Sequence, residues 1–177
     1  MKTLQITAAD VKDGAYIGAE NVADFDGHIE IAASLGIVFF ARLKVRGFIR
    51  ALAGSGIKAG WGIKAGSGIE AGEGIEAGSG IKAGSGIKAG SGIEAGWGIE
   101  AGEGIEAGEG IEAGESIQCK AILSAAFRIF AGVAIWKKDV TDAERTIACK
   151  RLARGTIAFG LLVEETASVD TAAEKTA

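Results

Sequence analysis

Isoleucine returns at every sixth position from Ile57 to Ile117 without a miss. Between successive isoleucines runs the unit Ile-(Lys/Glu)-Ala-Gly-(Ser/Glu/Trp)-Gly. A short period with one large apolar residue per unit marks a coil-by-coil β-solenoid, a fold that stacks strands and builds no deep pocket. Flexible Gly/Ser linkers lack such regular apolar residues.

Strand side chains alternate between faces. In each hexad the Ile and the Ala share one parity and the Lys or Glu between them has the other. The apolar pair faces a core and the charge faces water. The same odd parity continues upstream through Ile29, Ile31, Leu35, Ile37, Phe39, Leu43, Val45 and Ile49. Downstream it collects Cys119, Leu123, Phe127, Ile129, Val133 and Ile135, then Ile147, Cys149, Ile157, Phe159, Leu161 and Val163 after a polar break from Asp139 to Arg145. The expected organisation is an N-terminal cap over 1–28, an all-β parallel solenoid over 29–163 with a regular tract at 51–118, and a polar tail over 164–177. Glycine is permissive at positive φ, so the Gly-Xaa-Gly triplets mark the corners.

Charge sets the expected coil length. Parallel neighbours lie about 4.8 Å apart, and like charges directly opposed destabilise a sheet. The outward row reads Lys58, Lys64, Glu70, Glu76, Lys82, Lys88, Glu94, Glu100, Glu106, Glu112. A repeat of 12 residues alternates sign, as in Lys58–Glu70–Lys82–Glu94. A repeat of 18 stacks Glu76 on Glu94 on Glu112, and Lys64 on Lys82. The expectation is therefore a two-sided coil of 12 residues with two short strands. The alternative is a triangular left-handed β-helix with coils of 18. With 12-residue coils Cys119 and Cys149 fall roughly 12 Å apart along the axis, beyond disulfide reach, as buried free thiols.

The chain has 177 residues, a net charge of −4 and no proline. There is no signal-peptide pattern and no apolar run of membrane-spanning length, so the expectation is a cytoplasmic protein. The cysteines form no metal-ligand spacing and the Gly-rich hexads contain no phosphate-binding loop, so neither metal nor cofactor is expected. His28, the single histidine, has no nucleophile pattern around it and reads as structural.

The hexad partly resembles the hexapeptide repeat of left-handed β-helix acyltransferases, as in Ile93-Glu94-Ala95-Gly96. It departs from that pattern where Trp97 follows and where Lys58 or Lys82 fills the second place, and the coils lack the family's histidine. The unit more closely resembles the short Ile-Xaa-Ala-Gly repeats of gut-Firmicute solenoids, often carried on mobile elements. That resemblance implies a small phage-type binding protein, including anti-CRISPR inhibitors. Three surface features are candidates for binding. One is an acidic row: Glu94, Glu100, Glu103, Glu106, Glu109, Glu112 and Glu115. The second is a basic group: Arg42, Lys44, Arg46 and Arg50. The third is the corner pair Trp61 and Trp97. Ile122, Phe130 and Trp136 are candidates for homodimer contact. The expected function is non-enzymatic binding of a protein partner such as a nuclease, with a self-assembling scaffold as the alternative and acyl transfer as a remote one.

Overall fold

The chain is an all-β parallel solenoid of about 8 turns in a computed structural model that describes residues 1–165. Each regular hexad contributes one three-residue strand, such as Ile69–Ala71, Ile75–Ala77 and Ile81–Ala83, with the outer two residues buried and the middle one facing water. Each strand pairs in parallel with the strand three hexads away: Ile69 with Ile87, Ile75 with Ile93, Ile81 with Ile99. The coil thus holds 18 residues on three faces, the alternative arrangement, and not 12 residues on two.

The first face starts with Lys2–Ile6 and Gly27–Ile31 and continues through Ile49–Ala51, Ile69–Ala71, Ile87–Ala89 and Ile105–Ala107. The second runs through Gly36–Phe40, Ser55–Ala59, Ile75–Ala77, Ile93–Ala95 and Ile111–Ala113. The long strand Ile122–Ala131 bends across both, pairing with Ile105 at Leu123 and with Ile111 at Ile129. The third face is a separate sheet: Leu43–Val45, Ile63–Ala65, Ile81–Ala83, Ile99–Ala101, Ile117–Cys119, Thr146–Cys149 and Leu161–Glu164. Residues 1–28 take part in this stacking, since Leu4 pairs with Ile29 and Phe25 bridges to Val45.

The energetics explain why sign alternation failed as a guide. Every isoleucine from Ile57 to Ile117 is at most 1% exposed. Full burial of such a side chain contributes about 1.5–3 kcal/mol. An exposed cross-strand charge pair is worth about 0.2–1 kcal/mol, so core packing decides the number of sides.

The corners are also built differently from expectation. No glycine between Gly56 and Gly114 has a positive φ. The corners instead stay in parallel register, with Ser79 N–H donating to the Trp61 carbonyl at 3.1 Å and Trp97 N–H to Ser79 at 3.3 Å. The fourth-position glycines are present because coils touch there: a methyl group on Gly84 would fall onto the Gly66 carbonyl oxygen, and one on Gly102 onto that of Gly84. The sixth-position glycines are looser, a methyl on Gly86 lying 3.4 Å from the Gly104 carbonyl. Ser116 replaces glycine at a sixth position.

Two segments break the parity. Ser34 and Gly36 have φ of 62° and 67°, and this turn shifts the next strand by one residue. Val38 and Phe40 are buried, whereas Ile37 and Phe39, expected inside, are exposed. Ser55 secures the turn from below, its buried hydroxyl donating to the Ala32 carbonyl and accepting from Leu35 N–H. After Ala131 the chain leaves the coil and re-enters at Thr146. In the last coils Phe127, Ile135, Phe159, Leu161 and Val163 are exposed against expectation, Phe127 because it falls at a corner and the final strands because no coil among the described residues covers them. Of the expected tail, only Glu164 and Glu165 lie within the described residues.

The excursion after Ala131 also relocates the cysteines. Ile117 pairs with Ile147 and Gln118 with Ala148, which sets Cys119 beside Cys149 in adjacent strands, about 5 Å apart. The expected separation of two and a half coils is therefore wrong. Both thiols are free and buried, and burial with the neighbouring Cys119 pushes Cys149 up to about 11.

Two outcomes follow. Gly84→Ala should lower unfolding free energy by roughly 1–3 kcal/mol through overpacking, whereas Gly86→Ala should be neutral or stabilise by up to about 1 kcal/mol, as read from denaturant melts. Because the thiolate is the reactive form, iodoacetamide at pH 8 should leave both cysteines unlabelled in the native protein and label both in denaturant. Native labelling at the rate of a free thiol would contradict their burial.

Candidate functional site: charge ladders and a tryptophan edge

Three-sided stacking sorts the outward charges into three different columns. On the first face Glu30, Arg50, Glu70, Lys88 and Glu106 succeed one another with alternating sign. Arg50 bridges Glu70 at 3.2 Å and Lys88 bridges Glu106 at 3.3 Å. This face is electrostatically self-satisfied.

The second face carries Phe39, Lys58, Glu76, Glu94, Glu112 and Phe130 in that order. Lys58 reaches Glu76 at 2.5 Å. Glu94 and Glu112 have no ion-pair partner among the described residues. Partial burial, then the charges of Glu76 and Glu112, hold the Glu94 carboxyl above the usual range. A shallow trough of about 600 Å³ runs along this face, lined by Glu76, Glu94, Glu109 and Glu112, with Ile37 at one end and Phe127 and Arg128 at the other.

The third face inverts the sign. Lys44, Lys64 and Lys82 stack in register, followed by Glu100 and Gln118. Lys44 reaches Asp24 at 2.7 Å and Lys82 reaches Glu100 at 2.6 Å. Lys64 has no ion-pair partner among the described residues. Arg42 extends the basic row along a second trough.

The expected acidic row does not form one face. Glu94 and Glu112 lie on the second face, Glu106 on the first and Glu100 on the third, while Glu103, Glu109 and Glu115 occupy three different corners. They encircle the rod because a step of six residues moves one face around an 18-residue coil. Glu76 belongs to the real acidic ladder. The basic group is likewise divided: Arg42 and Lys44 serve the third face, Arg46 pairs with Asp26 at a corner and Arg50 lies on the first face over Phe48. Lys64 and Lys82 complete the basic ladder, and the 18-residue reading of the sequence already stacked them. Phe48 is half-buried, and Phe40, whose even number would place it outward by the parity of the hexads, is core.

Trp61 and Trp97 do share a column, with Ser79 between them, at the corner joining the second and third faces. Trp136 joins the same edge: its ring lies over Gly114, one coil beyond Gly96. All three tryptophans are more than half exposed. Lys137 fastens this segment to the corner through Glu115 at 2.5 Å and Glu144 at 2.6 Å. Ile122 sits on the first face and Phe130 on the second, so Ile122, Phe130 and Trp136 do not make one contact surface.

His28 accepts a hydrogen bond at Nδ1 from Phe48 N–H at 3.0 Å and stacks on the Phe48 ring at 4.2 Å, fastening two coils together. Among the described residues no group of three or more His, Cys, Asp or Glu could hold a metal ion, and no helix is long and apolar enough to cross a membrane. In comparisons with known proteins, no family model, no curated protein and no solved structure gave a significant match.

The Glu94 ladder makes a pH prediction. A carboxyl held above its unfolded pKa binds more protons when folded, so its contribution to stability falls as pH rises through the window from the unfolded to the folded value. Glu94→Gln should therefore stabilise the fold at pH 7 by roughly 0.2–1 kcal/mol, the scale of an opposed like-charge pair, and the gain should vanish below about pH 4. Melts at the two pH values check this; an equal gain at both would assign it to packing.

Proposed function

We propose that this chain is a non-enzymatic binding rod whose second face occupies a basic cleft of a partner protein. Its most specific form is a phage or mobile-element inhibitor, anti-CRISPR-like, that blocks the nucleic-acid channel of a bacterial defence nuclease in the host cytoplasm. The observation that carries this reading is the column Glu76–Glu94–Glu112, three like charges stacked at strand spacing, of which only Glu76 has an ion-pair partner among the described residues.

Such a column costs the isolated protein stability, and a cationic partner relieves that cost on binding. A periodic row of negative charge on a rigid support presents a basic channel with the electrostatics of a nucleic-acid backbone. The exposed Ile37 and Phe127 at the ends of the trough add apolar contact that excludes water around the charges. Rigidity helps, because a solenoid face orders few side chains on association.

The test is capture of partners from host lysate with mass spectrometric identification. A stoichiometric nucleic-acid-binding protein, released by salt, is the expected catch. Glu94→Lys with Glu112→Lys should abolish capture, while Glu106→Lys on the first face should retain it. Equal loss from both variants would overturn the assignment to the second face.

A further inference from the structure

We infer that the third face is a docking surface for the second face of another copy of this chain. The two faces carry complementary ladders. Read from its N-terminal end, the second face presents Lys58, Glu76, Glu94 and Glu112. Read from its C-terminal end, the third presents Glu100, Lys82, Lys64 and Lys44. Laid antiparallel, the two copies oppose opposite signs at every rung.

Spacing matches as well as sign. Both ladders climb one strand per coil, about 4.8 Å, because both are surfaces of the same solenoid. A mismatch in rise would put later rungs out of step, and two copies of one rod have none. The pairing also completes what a single copy leaves open. Within one chain Lys58 reaches Glu76, Lys82 reaches Glu100 and Lys44 reaches Asp24. Lys64, Glu94 and Glu112 have no ion-pair partner among the described residues. In the antiparallel pair Lys64 faces Glu94 at the centre, and Lys44 faces Glu112.

Trp61 and Trp97 stand on the corner that the second and third faces share, so each contact has an exposed aromatic rim beside its charges, a composition enriched at protein interfaces. The contact is heterologous: a copy that uses its second face still offers its third, so association continues beyond a pair. The contact shares the glutamate ladder with the proposed partner site but needs the lysine ladder besides, and the lysines separate the two ideas.

Light scattering or sedimentation at low salt tests it, with Lys64→Glu and Glu94→Lys alongside the wild type. The wild-type mass should rise with concentration above 17.9 kDa at about 20 mM salt and return to it at about 500 mM, where screening reaches only a few ångströms. Each variant alone should stay monomeric with an unchanged strand spectrum. Mixed in equal amounts they should associate again and grow with concentration as the wild type does, since the two intact faces match and the two reversed faces restore opposite charges at the central rung. A wild type that stays at the monomer mass at low salt, or a mixture that does not associate, would overturn the inference. Lys64→Glu should still capture the lysate partner, so failure here leaves the partner reading standing, and retained capture by the second-face reversals sinks that reading independently. Lys64→Gln, which removes charge without reversing it, should weaken association without abolishing it; full association by Lys64→Gln and Lys64→Glu alike would also overturn it.

Discussion

Successive coils approach most closely at the fourth residue of each hexad, and the rest of the solenoid depends on that approach. Gly66, Gly84 and Gly102 lie in one column, each packed against the carbonyl of the one before. A side chain there would hold the coils apart at the corner. Parallel strands share hydrogen bonds at one spacing, so a corner held open would stretch the ladders on both faces beside it. The glycines therefore set the rise, and the rise places each isoleucine on the isoleucine below.

That close stack makes the core indifferent to what lies outside it. The three isoleucines of each coil are buried almost completely, and their packing outweighs any exposed charge pair by several-fold. Surface charge is thus free to follow other demands, and the three faces differ accordingly. The first pairs its charges internally, the second collects glutamates and the third collects lysines. A fold that needed its surface charges for register could not segregate them this way.

Segregation on a rigid rod leaves charges of opposite sign on separate faces. Polar groups in and beside the core have structural roles: buried Ser55 braces a turn, half-buried His28 ties two coils, and the two neighbouring free thiols are held protonated by burial. The unbalanced groups are all on the surface, in ladders whose spacing the backbone dictates. The tryptophan edge at the corner between the acidic and basic faces runs beside both ladders.

The hexad and its parity were enough to specify an all-β parallel solenoid, the burial of Ile and Ala, and the outward place of every Lys and Glu in the regular tract, because period-two alternation is a local property of an extended chain. The sequence also placed Trp61 and Trp97 in one column, since their separation fits whole coils of either length. The number of sides was decided by tertiary packing. It depends on how three isoleucines fill an interior and how sharply a Gly-Xaa-Gly corner turns, and neither is visible in a one-dimensional period. Once the coil length changes, every outward neighbour changes with it. The acidic row therefore dispersed around the rod, the basic ladder emerged at Lys44, Lys64 and Lys82, and Cys149 came to rest beside Cys119. The one-residue shift at Ser34 to Gly36 was equally hidden, because a positive φ resets parity without leaving a mark in the repeat, whereas the excursion after Ala131 shows in the sequence as the polar break from Asp139 to Arg145 and keeps the parity of Ile147 and Cys149.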